Sequence, residues 1–151
     1  MKTIIVTGAS AGIGRAVAER FLDDGWQVGL IARRAELLGE MAEGRGNAVI
    51  LPCDVAEADQ VERAFAEFAA KAARLDVLFN NAGIFRTVGL IETTLEMWQQ
   101  MVDINQTGVF LGMRTAAPAM KANASGSIIN ISSIAGLSSS AIAHAYGATK
   151  W

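Results

Sequence analysis

A chain of 151 residues suits one packed unit rather than several. Fifteen acids against thirteen bases leave a net charge of −2 without any lysine or arginine cluster, which argues against a phosphate-backbone footprint and so against nucleic acid as a partner. No apolar stretch approaches the roughly 18 residues of a membrane span. The opening Met-Lys-Thr-Ile-Ile-Val-Thr-Gly enters a strand pattern with no secretory signature, so a cytoplasmic location without a membrane partner is expected. A single Cys53 excludes an internal disulfide, and no Cys/His set has metal-ligand spacing. Cys53 reads as a small core residue.

In chain order, apolar runs at residues 3–6, 28–31, 48–51, 77–79 and 127–131 predict five buried strands. Helical periodicity fills the gaps at 12–24, 35–43, 57–72 and 94–121, the last containing Pro118 as a kink or stop. Alternation of this kind implies an α/β unit with a doubly wound parallel sheet, whose ligands bind beyond the carboxyl ends of the strands. Ser138-Ser139-Ser140 is the nearest thing to low complexity and reads as a short polar loop.

Between the first strand and the first helix lies Thr7-Gly8-Ala9-Ser10-Ala11-Gly12-Ile13-Gly14. Glycine there lets the backbone turn tightly, approach a pyrophosphate closely and pack helix on strand, while the helix amino end attracts the anion. Amides around Ser10, Ala11, Gly12 and Ile13 are the expected donors. A lone glycine triplet is weak evidence, but the strand-turn-helix context strengthens it. The four-and-two spacing of Gly8, Gly12 and Gly14, with Asn80-Asn81-Ala82-Gly83 and Tyr146-x-x-x-Lys150 in order behind it, resembles the oxidoreductase branch of the short-chain dehydrogenases/reductases. The resemblance runs from residue 3 to the end of the chain and implies a single NAD(P)-binding Rossmann-fold domain.

An acid at the end of the second strand would hold the adenosine ribose hydroxyls, whereas arginine there accommodates a 2′-phosphate. The stretch reads Leu30-Ile31-Ala32-Arg33-Arg34, with no acid before Glu36. NADP(H) is therefore the expected cofactor, with Arg33 first and Arg34 second, and NAD(H) the alternative. The resemblance further implies that Asp54 and Val55 border the adenine. It implies that Asn81, Ala82 and Gly83 lie beside the cofactor ribose.

Hydride delivery to a carbonyl leaves an alkoxide that needs a proton, and the reverse reaction needs a base. Tyr146 and Lys150 are four residues apart and share a helix face, where a lysine cation favours a phenolate. Alone, such a pair is common on solvated helices. Ser133 lies thirteen residues before Tyr146, which matches the family's serine-to-tyrosine spacing and decides against Ser132. Carried over, the resemblance makes Tyr146 the general acid/base and Ser133 the partner of the substrate oxygen. Lys150 takes a double role toward Tyr146 and the nicotinamide ribose, and Asn105 anchors a relay water. His144 reads as a loop residue near the substrate opening, and Phe85, Ile134 and Leu137 as apolar residues facing a small alcohol or ketone.

Family members run about 100 residues longer, and this sequence stops at Trp151. The fold is expected to be C-terminally incomplete, without the segment that closes over nicotinamide and substrate. By itself the fragment is expected to be a poor enzyme, because a catalytic pair at a frayed end is not held to tight geometry. The full-length protein is expected to be a homo-oligomer, dimer or tetramer. The competing reading is a dinucleotide-binding module that performs no chemistry.

Overall fold

A computed structural model describes residues 1–138 and 142–151. Five strands form one parallel sheet: β1 (Thr3–Thr7), β2 (Gln27–Ala32), β3 (Ala48–Pro52), β4 (Val77–Asn80) and β5 (Ser127–Asn130), in the order β3-β2-β1-β4-β5. The reversal of direction beside β1 creates the crevice between β1 and β4 in which such sheets bind ligands. Each strand lies within a residue or two of its sequence-based position.

Helices α1 (Gly12–Asp23), α2 (Ala35–Ala42) and α3 (Ala58–Lys71) follow the first three strands. The expected long helix is present but interrupted. It consists of α4 (Leu95–Val102), a π-helical turn at Asp103–Thr107 and α5 (Gly108–Ala122). Pro118 does not end it, since α5 continues to Ala122; the proline removes only its own amide donor. A 3₁₀ turn at Ile134–Gly136 and a short α6 (His144–Lys150) complete the described elements. Ser139 and Ser140 of the polar run lie outside the described residues.

Two apolar layers sandwich the sheet. One joins Ile5, Ile31, Leu51 and Leu78 to Phe65 and Phe68 of α3 and Leu111 of α5. The other joins Ile4, Val6, Val28 and Leu30 to Ala18 and Leu22 of α1 and Leu38 of α2. The central strands thus fit the expectation of burial on both faces. β5 does not, since all four of its residues are exposed, including Ile128 and Ile129. It pairs only with β4 and contacts α5 sparsely, so its apolar pair lacks the second layer that covers β1 and β2. No helix among the described residues is long and apolar enough to cross a membrane.

Candidate active site

The glycine-rich turn leaves β1 with Gly8 at φ +69° and enters α1 through Gly12 at φ +56°, a left-handed backbone that side chains resist. Gly14 answers a different demand. A Cβ there would collide with the Gly8 carbonyl oxygen and crowd Asn81 Nδ2, so α1 approaches the loop only because this position is bare. Helices α2, α3 and α4 each carry an acid in the first turn, whereas α1 carries none and has no side-chain cap. Its amino end is thereby left to attract an anion.

Thr7 ties this turn to the loop after β4. Its Oγ1 accepts from the amides of Asn81 and Ala82, both at 3.0 Å, while Asn81 Nδ2 donates to the Thr7 carbonyl at 3.1 Å. Asn80 turns the other way, donating to Asn130 Oδ1 at 3.0 Å and to the Val109 carbonyl. The two asparagines therefore hold together the carboxyl ends of β1, β4 and β5. Nothing in the sequence marked Thr7 beyond its place before Gly8.

These elements enclose a cleft of about 640 Å³, within the ordinary range of ligand sites. Gly8, Ser10, Ala11, Ile13, Arg33, Arg34, Asp54, Val55, Asn81, Ala82 and Gly83 all line it. Gly12 and Gly14, also expected at the nucleotide, do not line it; Gly14 packs against the Gly8 carbonyl and Asn81. Ala32, Cys53, Ile84 and Ile104 also line it and escaped sequence reasoning, being apolar positions indistinguishable from core. Burial, reinforced by the Asp54 charge, pushes the Cys53 thiol up to about 11, which suits an inert wall residue.

At the end of β2, Arg33 lies 3.9 Å from the Asp54 carboxylate, an open pair of little net worth that leaves the guanidinium available. Arg34 donates to Ser10 Oγ at 3.1 Å, reaching back to the glycine-rich turn. Asp54 Oδ1 accepts from the Ala56 amide at 3.1 Å, an Asx turn that fixes its carboxylate at the cleft rim.

Tyr146 and Lys150 stand on α6, with Lys150 Nζ 5.9 Å from the centre of the Tyr146 ring. Phe85 meets that ring edge to face at 4.9 Å between centroids. Lys150 Nζ donates to the Ile131 carbonyl at 2.9 Å, and a Cβ placed on Gly83 would lie 3.7 Å from it, so the ammonium abuts the cleft wall. Burial pushes the Lys150 ammonium below the usual lysine range. Ser133 accepts from the Ala135 amide at 3.2 Å and caps the 3₁₀ turn that precedes α6.

Asn105 sits buried in the π-helical turn, a local widening often found at functional sites. Its Oδ1 accepts from the Ile84 amide at 2.8 Å, and its Nδ2 donates to the Ile84 carbonyl at 2.9 Å and to Thr149 Oγ1 at 3.0 Å. His144 is half-buried in a separate cleft with Leu137 and Trp151, away from the glycine-rich turn. Ile134 and Leu137 are exposed to solvent at 83% and 89%.

Residues 2–151 match the family described as short chain dehydrogenase. The chain belongs to that family. Among similar members is a 3-oxoacyl-[acyl-carrier-protein] reductase of Synechocystis sp., 38% identical over 138 residues, a match covering 88% of this chain and 56% of that protein. A 2,5-dichloro-2,5-cyclohexadiene-1,4-diol dehydrogenase of Sphingobium indicum is 37% identical over 153 residues, covering 99% and 61%. A 3beta-hydroxysteroid dehydrogenase of Mediterraneibacter gnavus is 38% identical over 157 residues, covering 99% and 55%.

The crystal structure of a short-chain dehydrogenase from Streptomyces avermitilis superposes with a TM-score of 0.94 at 36% identity, over 99% of this chain and 55% of that one. This short-chain dehydrogenase chain thus spans between 55 and 61% of the length of the three relatives. Its sheet and flanking helices are the Rossmann-type arrangement of the family.

Proposed function

We propose that this chain carries the dinucleotide-binding and proton-transfer parts of an NADP(H)-dependent oxidoreductase that interconverts an alcohol and a carbonyl. The supporting observation is a juxtaposition. Lys150 Nζ, 5.9 Å from the centre of the Tyr146 ring, lies against Gly83, and Gly83 forms one wall of the cleft that begins at the glycine-rich turn. A proton donor and a nucleotide site therefore adjoin at one sheet edge.

The residues fit a dinucleotide. Bare positions at Gly8 and Gly14 make a cradle that a Cβ would fill, and the uncapped amino end of α1 faces a pyrophosphate. Arg33, with Arg34 beside Ser10, would receive the 2′-phosphate, and Asp54 and Val55 would border the adenine. When bound, the dinucleotide supplies or takes up the hydride.

In the reducing direction Tyr146 gives its phenolic proton to the substrate oxygen as the carbonyl carbon gains the hydride, and the C=O π pair becomes the new O–H bond. In the oxidising direction the phenolate takes that proton back. Lys150 stabilises the phenolate electrostatically and, with Asn81, Ala82 and Gly83, positions the nicotinamide ribose. Ser133 donates to the substrate oxygen and to the charge developing on it. Asn105 fixes the cleft wall through both backbone groups of Ile84 and would anchor the relay water. The exposed aromatic edge of Phe85 against Tyr146 favours a partly apolar substrate.

The similar members are a reductase of 3-oxoacyl-[acyl-carrier-protein], a dehydrogenase of a dichlorocyclohexadienediol and one of 3beta-hydroxysteroids, so the useful test is a panel. The complete protein is assayed against ketones and 3-oxoacyl thioesters while nicotinamide absorbance is followed. The expected result is oxidation of NADPH with at least one carbonyl class, faster than oxidation of NADH. Tight NADPH binding without turnover on any of them would favour the non-catalytic module.

A further inference from the structure

We infer that Thr149 is a positioning residue, the hydroxyl that fastens the catalytic helix α6 to the wall of the nucleotide cleft through Asn105. The inference rests on the reading of Tyr146 and Lys150 given above.

Thr149 is 4% exposed, and its Oγ1 sits between two partners. It accepts from Asn105 Nδ2 at 3.0 Å and donates to the Tyr146 carbonyl at 2.8 Å. A threonine that only donates to the carbonyl three residues back is an ordinary helix feature, and that bond by itself would carry no role. The second bond is different, because it leaves the helix.

Asn105 is already committed to both backbone groups of Ile84, a cleft-lining residue. Its remaining amide proton goes to Thr149, so one buried side chain spans the cleft wall and α6. Apart from this link, α6 is held near its end by Lys150 Nζ on the Ile131 carbonyl at 2.9 Å, which is partly buried, and by Ser132 Oγ on the Lys150 carbonyl at 3.1 Å and Gln106 Nε2 on the Ala148 carbonyl at 3.3 Å, both exposed. The Asn105–Thr149 bond is the buried one. Thr149 lies one residue from Lys150 and its hydroxyl also donates to the Tyr146 carbonyl, so the link to Asn105 fixes the rotation of α6 that sets both side chains.

Hydroxyl loss should therefore disturb geometry more than affinity, because the groups that would grip the dinucleotide, Lys150 apart, lie outside α6. In the complete protein, Thr149→Val keeps the shape and removes both bonds. Turnover per dinucleotide-binding site is expected to fall about 10- to 100-fold, with the dinucleotide dissociation constant moving less than about threefold. Thr149→Ser, which retains the hydroxyl, should recover most of that loss. Asn105→Ala combined with Thr149→Val should lose little more than Asn105→Ala alone.

Full turnover in Thr149→Val, additive losses in the double variant, or no recovery in Thr149→Ser would each overturn the inference. A Tyr146→Phe control separates the two levels. If that variant stays active, the underlying reading fails; if it is inactive while Thr149→Val is unimpaired, only the positioning role fails.

Discussion

In this chain, the two sides of the sheet are covered differently. On the β3-β2-β1 side, β1 is buried along its whole length and β2 nearly so, with α1 and α2 packed over one face and α3 over the other. On the β4-β5 side, β5 is exposed at every residue in this chain, and α6, which runs to Lys150 beside the last residue, Trp151, is tied by the bonds of Thr149, Ala148 and Lys150. The rigid side offers the bare glycines, the open helix end and the arginines; the looser side carries Tyr146, Lys150 and Ser133. Under the function proposed above, recognition of a dinucleotide and transfer of a proton fall to different elements, so each should be open to damage without the other.

The largest expected effect comes from breaking the rigid side. Gly14→Val drives a side chain into the Gly8 carbonyl and Asn81. It should lower stability by about 1–3 kcal/mol and remove measurable dinucleotide binding. Thermal unfolding and NADPH titration read both. Normal binding in that variant would mean that the close approach of α1 to the turn is not needed.

A smaller effect sharpens what the rigid side selects. Arg33 is held only by its 3.9 Å contact with Asp54, so Arg33→Ala should weaken NADPH about 10-fold, the worth of one charged hydrogen bond, and leave NADH nearly untouched. Equal weakening of both would assign Arg33 to the fold instead of the 2′-phosphate.

The smallest effect lies on the loose side. Burial disfavours the Lys150 ammonium, so its folded-state titration lies below that of the unfolded chain. Below the lowered folded value both states bind the proton and the burial cost is fully present. As pH rises from the lowered folded value toward the ordinary lysine range, only the unfolded chain keeps the proton, and stability increases. It is lost again as pH falls through the folded value. Wild type should therefore gain in melting temperature relative to Lys150→Met as pH rises into the ordinary lysine range; a constant difference would show that burial does not perturb this lysine.

The same contrast governs what the sequence made legible. Strands β1 to β4 and helices α1 to α3 announce themselves because a strand covered on both faces must be apolar throughout and its helices must be amphipathic. β5 carries an identical signal in Ile128 and Ile129 and yet is exposed, since burial depends on a neighbour and not on the strand's own residues. The π-helical turn around Asn105 was invisible because one extra residue in a helix scarcely alters its periodicity over two turns.

Within the candidate site, glycines and the Tyr146–Lys150 spacing were readable, because each position has a steric or chemical requirement that few residue types meet. Thr7 and Thr149 were not readable. A buried hydroxyl acquires its meaning from partners 74 and 44 residues distant, which no local pattern reports. Arg34 was read as a second phosphate ligand, and its bond to Ser10 reveals a latch between β2 and the turn that spacing alone could not supply.

The separation of binding from chemistry is tested most directly by Tyr146→Phe in the complete protein, with turnover and NADPH affinity measured on the same preparation. Turnover is predicted to fall by a factor on the order of 10² to 10⁴, the usual contribution of a positioned proton donor, while the dissociation constant for NADPH stays within about twofold. Turnover near that of the wild type, or loss of both properties together, would contradict the account.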